Sequence, residues 1–202
     1  MLCDGATAYF RTRSLAQSAR LVQAISELPG IDDHQPDVDL RPEGVTVRLL
    51  TTTHEYWGMS LRDVEFARQI SAAARKLGFS ADPMAVQSLL VIPGATNTAA
   101  VMPFWRAALG YEPRADSPEE DLVDPHRRGA PFWFERMNEP RPDGGGAIHV
   151  AIWVPYEQAE ARIAAALAAG GRMVRDEFAP AWWTLADAAG NEADIATTMG
   201  RD

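Results

Sequence analysis

Two histidines in the first third of the chain have the side chain best suited to acid–base chemistry. His34 lies in the stretch DDHQPDVDL and His54 follows in the stretch VTVRLLTTTHE; the chain has four histidines in all. Imidazole groups accept and donate protons near neutral pH, so they suit general acid–base catalysis. Spacing alone leaves open the alternative of two surface histidines near a hairpin.

A β-hairpin is predicted between these histidines. Residues 37–41 alternate polar and apolar side chains, a turn follows, and residues 45–53 form a second strand. In a register that sets residue 41 opposite residue 45, His34 and His54 are diagonal neighbours on one face. Such neighbours lie about 7–8 Å apart. The two imidazoles would then reach one small substrate on the face turned away from the helices.

Two amphipathic helices are predicted to cover the apolar face of this hairpin. Ser14 suits the N-cap of the first helix, which ends at Gly30. Ser60 and Asp63 have the spacing of a capping box at the start of the second helix, and Gly78 stands at its end. The first module is therefore β-α-β-β-α and ends near residue 82.

The quoted histidine stretches and the segment EYWGMSLRDVEFARQI resemble the pterin-4a-carbinolamine dehydratases over about residues 7–80. The family motif is His-His-Pro, a strand, Thr-His, and Gly-Leu-Ser-x-Arg-Asp opening a helix. Its positions match His34, Pro36, His54 and Asp63 here. The resemblance implies that His34 and His54 are catalytic, that Pro36 helps to bind substrate, and that 4a-hydroxytetrahydropterin is dehydrated to quinonoid dihydropterin.

Gln35 stands where the family has its second histidine. The acid that usually precedes the pair is Gly30 here, an aromatic on the next strand is missing, and the hairpin is longer by about two residues. Glutamine forms hydrogen bonds to a ligand but does not shuttle protons at neutral pH. We therefore expect Gln35 to bind the substrate. Either the enzyme is slower than its relatives, or the pocket binds a flat molecule without catalysis.

A weak repeat organises the rest of the chain after a short joint at residues 78–85. Each half reads as a strand, a helix and three short strands, in the order βαβββ. The halves occupy residues 86–137 and 148–198 at an offset of about 62. The expected fold is thus α+β throughout, with an N-terminal antiparallel sheet and two helices in residues 1–82 and tandem βαβββ units in residues 85–202.

The segments AIHVAIWVPYEQAEARIAAALAAGG and WWTLADAAGNEADIAT resemble the glyoxalase/vicinal-oxygen-chelate superfamily over about residues 85–198. That superfamily contains isomerases, dioxygenases and antibiotic-binding proteins, so it indicates a fold rather than an activity. Its metal-dependent members take ligands from the first and last strand of each half. The matching positions here are Gln87, Glu135, His149 and Asp194, with Glu192 as a substitute for the last.

A metal-free cleft is the alternative that we favour for this second module. Only one of the four candidate ligands is a histidine, and tryptophans occupy the same strands. Trp133, His149, Trp153 and Trp183 are then expected to bind a flat substrate. We expect no cofactor. A divalent metal enzyme acting through this module remains a third hypothesis beside the dehydratase and the binding protein.

The composition narrows the partners of the chain. The net charge of −9 disfavours nucleic acid, which requires clustered basic residues. A single cysteine, the lack of a signal peptide and the lack of a membrane-spanning apolar run predict a cytoplasmic protein. Abundant Ala and Arg are typical of a GC-rich bacterial genome. We expect a homodimer, since strand 45–53 is apolar on one face and exposed edges invite pairing, and since both resemblances suggest one.

Overall fold

A computed structural model describes residues 5–139, 148–186 and 192–201. The chain divides into two compact units, Met1–Val86 and Gln87–Asp202. Both units mix helices and strands, which confirms the predicted α+β class. Among the described residues, none of the helices is both long and apolar enough to cross a lipid bilayer.

The N-terminal unit is a three-stranded antiparallel sheet in the order β1-β3-β2, with two helices and a two-stranded ribbon, β4-β5. Its elements are β1 (Ala6–Arg11), α1 (Leu15–Ser26), β2 (Asp37–Arg41), β3 (Gly44–Leu49), β4 (Thr51–Thr52), β5 (Trp57–Gly58) and α2 (Leu61–Lys76).

Alternation along β3 places the core of this unit. Val45, Val47 and Leu49 are buried, whereas Thr46 and Arg48 between them are half-buried. The buried valines pack in one cluster with side chains of both helices, among them Leu21 of α1 and Phe66 of α2. The prediction that the apolar face of this strand is the one covered by helices is therefore confirmed.

The hairpin register is shifted by one residue from the predicted one. Arg41 pairs with Gly44 and Asp37 with Arg48, because a two-residue loop closes the hairpin. His34 lies outside β2, at the end of the short helical turn Ile31–Asp33. The prediction that the register makes His34 and His54 diagonal neighbours is therefore wrong.

Strand β3 also lacks the exposed edge on which the homodimer prediction relied. It pairs with β1 on one side and with β2 on the other, so it is the central strand. The long predicted strand 45–53 is in addition divided, with β3 ending at Leu49 and β4 beginning at Thr51. The homodimer stays a prediction, now without that structural reason.

The C-terminal unit contains the two predicted halves: the second is βαβββ as expected, whereas the first has four short strands after its helix in place of three. The first comprises β6 (Ser88–Ala95), α3 (Thr98–Leu109), β7 (Glu112–Pro113), β8 (Asp121–Val123), β9 (Phe132–Trp133) and β10 (Glu135–Arg136). The second comprises β11 (Ile148–Trp153), α4 (Tyr156–Ala168), β12 (Arg172–Arg175), β13 (Trp182–Ala186) and β14 (Glu192–Ala196).

The two halves join through their first strands. β6 pairs antiparallel with β11, and the order along the sheet is β12-β13-β14-β11-β6-β9-β8-β7, with β10 also paired to β6. One cluster, which includes Met102 of α3 and Leu122 of β8, forms the core of the first half. Ala159 of α4 packs with Leu185 and Ile195 in the second. The cleft of this unit lies on the opposite face of the sheet.

Candidate functional site

A histidine–aspartate pair is buried in the N-terminal unit. The Nε2 atom of His34 lies 2.7 Å from Oδ1 of Asp63, and the two side chains are 11% and 0% exposed. The imidazole also packs on Phe66, with ring centroids 5.6 Å apart. Because Asp63 and Phe66 both belong to α2, His34 lies against a helix rather than on the helix-free face that we expected.

The start of α2 fixes the carboxylate of Asp63. Its Oδ2 accepts hydrogen bonds from the backbone N–H of Ser60 at 2.7 Å, from the Ser60 hydroxyl at 2.9 Å and from the Thr51 hydroxyl at 2.6 Å. The Ser60 hydroxyl in turn caps the backbone N–H of Asp63. The predicted capping box is confirmed, and it holds the carboxylate in place for His34.

These hydrogen bonds determine the charge of the pair. Burial alone would raise the pKa of Asp63, but hydrogen bonds from Thr51, Ser60 and His34 outweigh it and hold that pKa below its usual value. An ionised carboxylate only accepts hydrogen bonds, so His34 presents an Nε2–H to it. In the neutral imidazole, Nδ1 is then the proton acceptor, which is the arrangement of an oriented general base.

The other residues of the predicted site are more open to solvent. His54 lies in the bend between β4 and β5, its side chain is 86% exposed, and its Nε2 is 3.3 Å from Oε1 of Glu55. Gln35 is exposed and Pro36 half-buried directly after His34. The structure thus holds His34 rigidly and leaves Gln35 and His54 available to solvent.

A cleft with a volume of about 690 Å³ opens on the sheet of the C-terminal unit. Its base is formed by side chains that alternate to one face of four strands. They are Leu90, Ile92 and Gly94 of β6, His149, Ala151 and Trp153 of β11, Asp194 and Ala196 of β14, and Trp182 of β13. Trp133 and Phe178 add further aromatic surface. Trp133, His149 and Trp153 of the predicted set therefore line one cleft.

Trp183 does not line the cleft, contrary to the prediction. It packs in the core cluster formed by Val154, Ala159, Leu185 and Ile195. Trp182 pairs with Ala196, which faces the cleft, whereas Trp183 pairs with Ile195, which faces the core. Successive strand residues point to opposite faces, so this alternation on β13 would have identified Trp182 from the sequence.

The predicted repeat offset wrongly placed Gln87 among the cleft residues. It is exposed, precedes β6, and its side chain accepts a hydrogen bond at 3.2 Å from Arg162 of α4. The offset of 62 was too large, because α3 begins at Thr98 and α4 at Tyr156, only 58 positions later. The residues of β6 that do face the cleft are Leu90, Ile92 and Gly94, which offer no ligand side chain.

The remaining candidate ligands Glu135, His149 and Asp194 line the cleft but are not grouped around one point. The Nε2 atom of His149 lies 3.3 Å from Oδ2 of Asp194, whose Oδ1 accepts a 2.6 Å hydrogen bond from Thr184. The Glu192 carboxylate is 3.4 Å from the guanidinium of Arg175. Within the described part of the chain, no three His, Cys, Asp or Glu side chains are grouped to hold an ion. We assign no step to a metal.

Two cleft residues were missed by the sequence reasoning. The guanidinium of Arg201 lies 4.2 Å from the ring centroid of Trp153 and 5.4 Å from that of Trp182. Phe178 stacks on Trp182, with centroids 4.3 Å apart and an angle of 14°. Both lie outside the strands, Arg201 after the last and Phe178 before β13, so strand periodicity gave no signal for either.

Comparisons with known sequences divide the chain in the same way. Residues 90–196 match the model of the glyoxalase-like domain family, and residues 5–73 match that of pterin 4 alpha carbinolamine dehydratase. A putative pterin-4-alpha-carbinolamine dehydratase from Nocardia farcinica is 35% identical over 65 residues. The alignment covers 32% of this chain and 66% of that relative, which is just under two thirds of its length.

Solved structures of two other proteins align with about half of this chain. An NAD-dependent benzaldehyde dehydrogenase from Legionella pneumophila is 15% identical, with 54% of this chain and 97% of that chain covered and a TM-score of 0.39. A glyoxalase/bleomycin resistance protein/dioxygenase superfamily member from Vibrio splendidus is 14% identical, with 55% and 98% covered and a TM-score of 0.36. Since the glyoxalase-like model spans more than half of the sequence, the chain belongs to the glyoxalase-like domain family, preceded by a segment that matches the pterin-4a-carbinolamine dehydratases.

Proposed function

We propose that the N-terminal unit dehydrates 4a-hydroxytetrahydrobiopterin or a related pterin carbinolamine, with His34 as the base. The observation that carries this proposal is the 2.7 Å contact between His34 and the buried Asp63. The match of residues 5–73 to the dehydratase family model supports it independently.

The reaction requires one proton acceptor and one proton donor. The proton on N5 leaves, the C4a–O bond breaks, C4a and N5 form a double bond, and the hydroxyl departs as water. We assign removal of the N5 proton to Nδ1 of His34, because Asp63 holds the opposite side of the ring. The ionised Asp63 then stabilises the imidazolium that forms.

His54 and Gln35 complete the proposed site. We assign protonation of the leaving hydroxyl to His54, whose place in the family motif is the reason for that role. Gln35, exposed beside His34, binds the pterin by hydrogen bonds. Dehydration involves no net oxidation or reduction, so the proposed reaction needs no redox cofactor. We propose a homodimer for the assembly, which light scattering over a range of concentrations tests.

A pterin assay on the purified full chain tests this function. The carbinolamine is generated in the cuvette, and formation of quinonoid dihydropterin is followed by absorbance. Replacing a general acid or base costs about 10²–10⁴-fold in rate, so His34→Ala and His54→Ala are both expected to lose activity to that extent. His126→Ala, on an exposed loop of the other unit, serves as the control and is expected to keep the wild-type rate.

Gln35→His sharpens the same assay, because it restores a second proton-carrying side chain beside His34. We expect this variant to be faster than the wild type, and Gln35→Ala to bind pterin more weakly. If wild type and Gln35→His both lack turnover, yet His34→Ala weakens pterin binding, the unit is a binding module. If no variant binds any pterin, the proposal is wrong.

A further inference from the structure

The indole of Trp153 is the most informative group in the C-terminal cleft. The residue is only 8% exposed, lines the cleft, and its buried Nε1–H has no hydrogen-bond acceptor among the residues that the structure describes. Buried donors are almost always satisfied, because desolvation without a partner is costly. We therefore expect a ligand bound in the cleft to supply the hydrogen-bond acceptor for this indole N–H.

A second unsatisfied atom lies at the same level of the sheet. Ser88 pairs directly with Trp153 across β6 and β11, and its buried hydroxyl likewise lacks a partner in the described part of the chain. Ser88 shares its face of β6 with Leu90 and Ile92, which line the cleft. Ser88 does not itself line the cleft, so Trp153 is the unsatisfied donor that marks this end of it.

The charge at this end favours an anionic acceptor. The guanidinium of Arg201 lies over the Trp153 ring and is positioned by a 2.9 Å hydrogen bond from its Nε to the Thr197 carbonyl. Glu135 pairs with Gly94, six residues along β6 from Ser88, which is about 20 Å of strand. The carboxylate of Asp194 is already held by the Thr184 hydroxyl.

The middle of the cleft suits a flat apolar ring. Trp153 lies four positions after His149 on β11, which is about 13 Å, and the small side chain of Ala151 lies between them on the same face. Leu90 and Ile92 continue this apolar base on β6. The volume of about 690 Å³ is in the range of small-molecule sites.

We propose that this cleft binds a planar aromatic carboxylate, whose carboxylate accepts a hydrogen bond from Nε1 of Trp153 beside Arg201 and whose ring lies over Ala151. The site belongs to the C-terminal unit and does not depend on the dehydration proposed above. Its ligand class follows from one buried donor, one adjacent cation and an apolar base.

Calorimetric titration of the full chain with 2-naphthoate tests the proposal. We expect binding of 2-naphthoate, and binding at least tenfold weaker for 2-naphthylmethylamine, which has the same ring and the opposite charge. Trp153→Phe retains a ring but removes the N–H, and loss of a hydrogen bond to a charged group is expected to weaken 2-naphthoate binding by about tenfold or more. Trp183→Phe, on the core side of β13, is the matched control and is expected to bind as the wild type does.

Three results would overturn the proposal: no binding of 2-naphthoate, equal binding of both probes, or equal losses in the two variants. A measurement on the unaltered chain covers the case in which Trp153→Phe does not fold. The six tryptophans give indole N–H signals in a ¹⁵N-labelled sample, and replacing the other five in turn identifies that of Trp153. We expect 2-naphthoate to move this signal downfield, and an unmoved signal would count decisively against the site.

Discussion

Each unit of the chain contains a histidine–aspartate pair, and the two pairs differ in how the carboxylate is held. Both histidines have side chains that are 11% exposed. The closest nitrogen–oxygen distance is 2.7 Å between His34 and Asp63 but 3.3 Å between His149 and Asp194. The same two residue types therefore form a tight buried pair in one unit and a looser pair that lines a cleft in the other.

The difference follows from the element that carries the aspartate. Asp63 is the third residue of α2, where a free backbone N–H and two hydroxyls donate to its carboxylate. Asp194 lies within β14 between two paired strands, so backbone donors are engaged in the sheet and Thr184 is the side chain that donates to it. A helix N-terminus can thus hold a buried charge beside a histidine, whereas a mid-strand position supplies fewer donors.

Removing the charge of each aspartate should produce the largest difference in stability between the two pairs. We expect Asp63→Asn to lower the free energy of unfolding of the N-terminal unit by about 3 kcal/mol. The NH2 half of the amide would replace one carboxylate oxygen, and it cannot accept the hydrogen bonds that this oxygen accepts. Asp194→Asn should cost the C-terminal unit about 1 kcal/mol, since it loses fewer hydrogen bonds. Urea unfolding, followed by hydrogen exchange in peptides from each unit, measures both.

An exposed carboxylate provides the control for that experiment. Asp39 pairs with Arg41 on the surface, with its side chain 56% exposed. Such pairs contribute little, so Asp39→Asn should change stability by less than about 0.5 kcal/mol. Equal costs for Asp63→Asn and Asp194→Asn would show that the position on a helix or a strand does not matter.

Acid should change the stability contributions of two carboxyl groups, one in each unit, in opposite directions. The pKa of Asp63 is lowered, so its contribution to stability is present above the unfolded value of about 3.9 and is lost as pH falls through the folded value. Burial raises the pKa of Asp121 in the C-terminal unit, and hydrogen bonding from Ser117 and the charge of Arg114 offset this only in part. Its ionised form therefore destabilises that unit, and protonation relieves the cost as pH falls toward 3.9.

Two single variants isolate these contributions between pH 7 and pH 3. The stability difference between wild type and Asp63→Asn should stay constant down to about pH 4 and shrink below it. The wild type should gain stability relative to Asp121→Asn as pH falls from 7 toward 4. Thermal unfolding at each pH, with hydrogen exchange to assign the unit, is the measurement. Differences from wild type that change with pH in the same direction for both variants would contradict the prediction.

Local signals in the sequence were enough to predict the elements and one part of the site. Ser60 and Asp63 indicate a capping box, and the division into two halves, each beginning with a strand and a helix, follows from periodicity. The contact between His34 and Asp63 was not predictable, because the helical turn that aims His34 at α2 is fixed by tertiary packing of Ile31 in the core.

Errors of one to a few positions account for the other incorrect predictions of site residues. A two-residue loop shifted the hairpin register, and one residue along β13 separates Trp182 in the cleft from Trp183 in the core. A one-residue change reverses the face of a strand side chain, so small register errors exchange lining residues for core residues. Arg201 follows the last strand and no periodic pattern marks it.

Replacing each histidine of the N-terminal unit should show the difference in stability between a buried, hydrogen-bonded side chain and an exposed one. His34→Ala is expected to lower the free energy of unfolding by about 1–2 kcal/mol, since Asp63 loses a donor and Phe66 a packing partner. His54→Ala should change it by less than about 0.5 kcal/mol, because its side chain is 86% exposed. Urea unfolding of both variants measures the difference, and a large cost for His54→Ala would show that it is held as firmly as His34.

The purified protein should contain no bound divalent metal if His149 and Asp194 contact each other directly. His149 and Asp194 contact each other, the facing positions of β6 are Leu90, Ile92 and Gly94, and a stable site needs three or four protein ligands. We therefore expect elemental analysis of the purified protein to find no stoichiometric zinc, nickel, iron or manganese, and His149→Ala to leave that result unchanged. One equivalent of a divalent ion, lost in His149→Ala, would mean that an ion separates this pair. The longer distance between His149 and Asp194 would then be explained by a metal site, and not by the small number of hydrogen-bond donors at a mid-strand position.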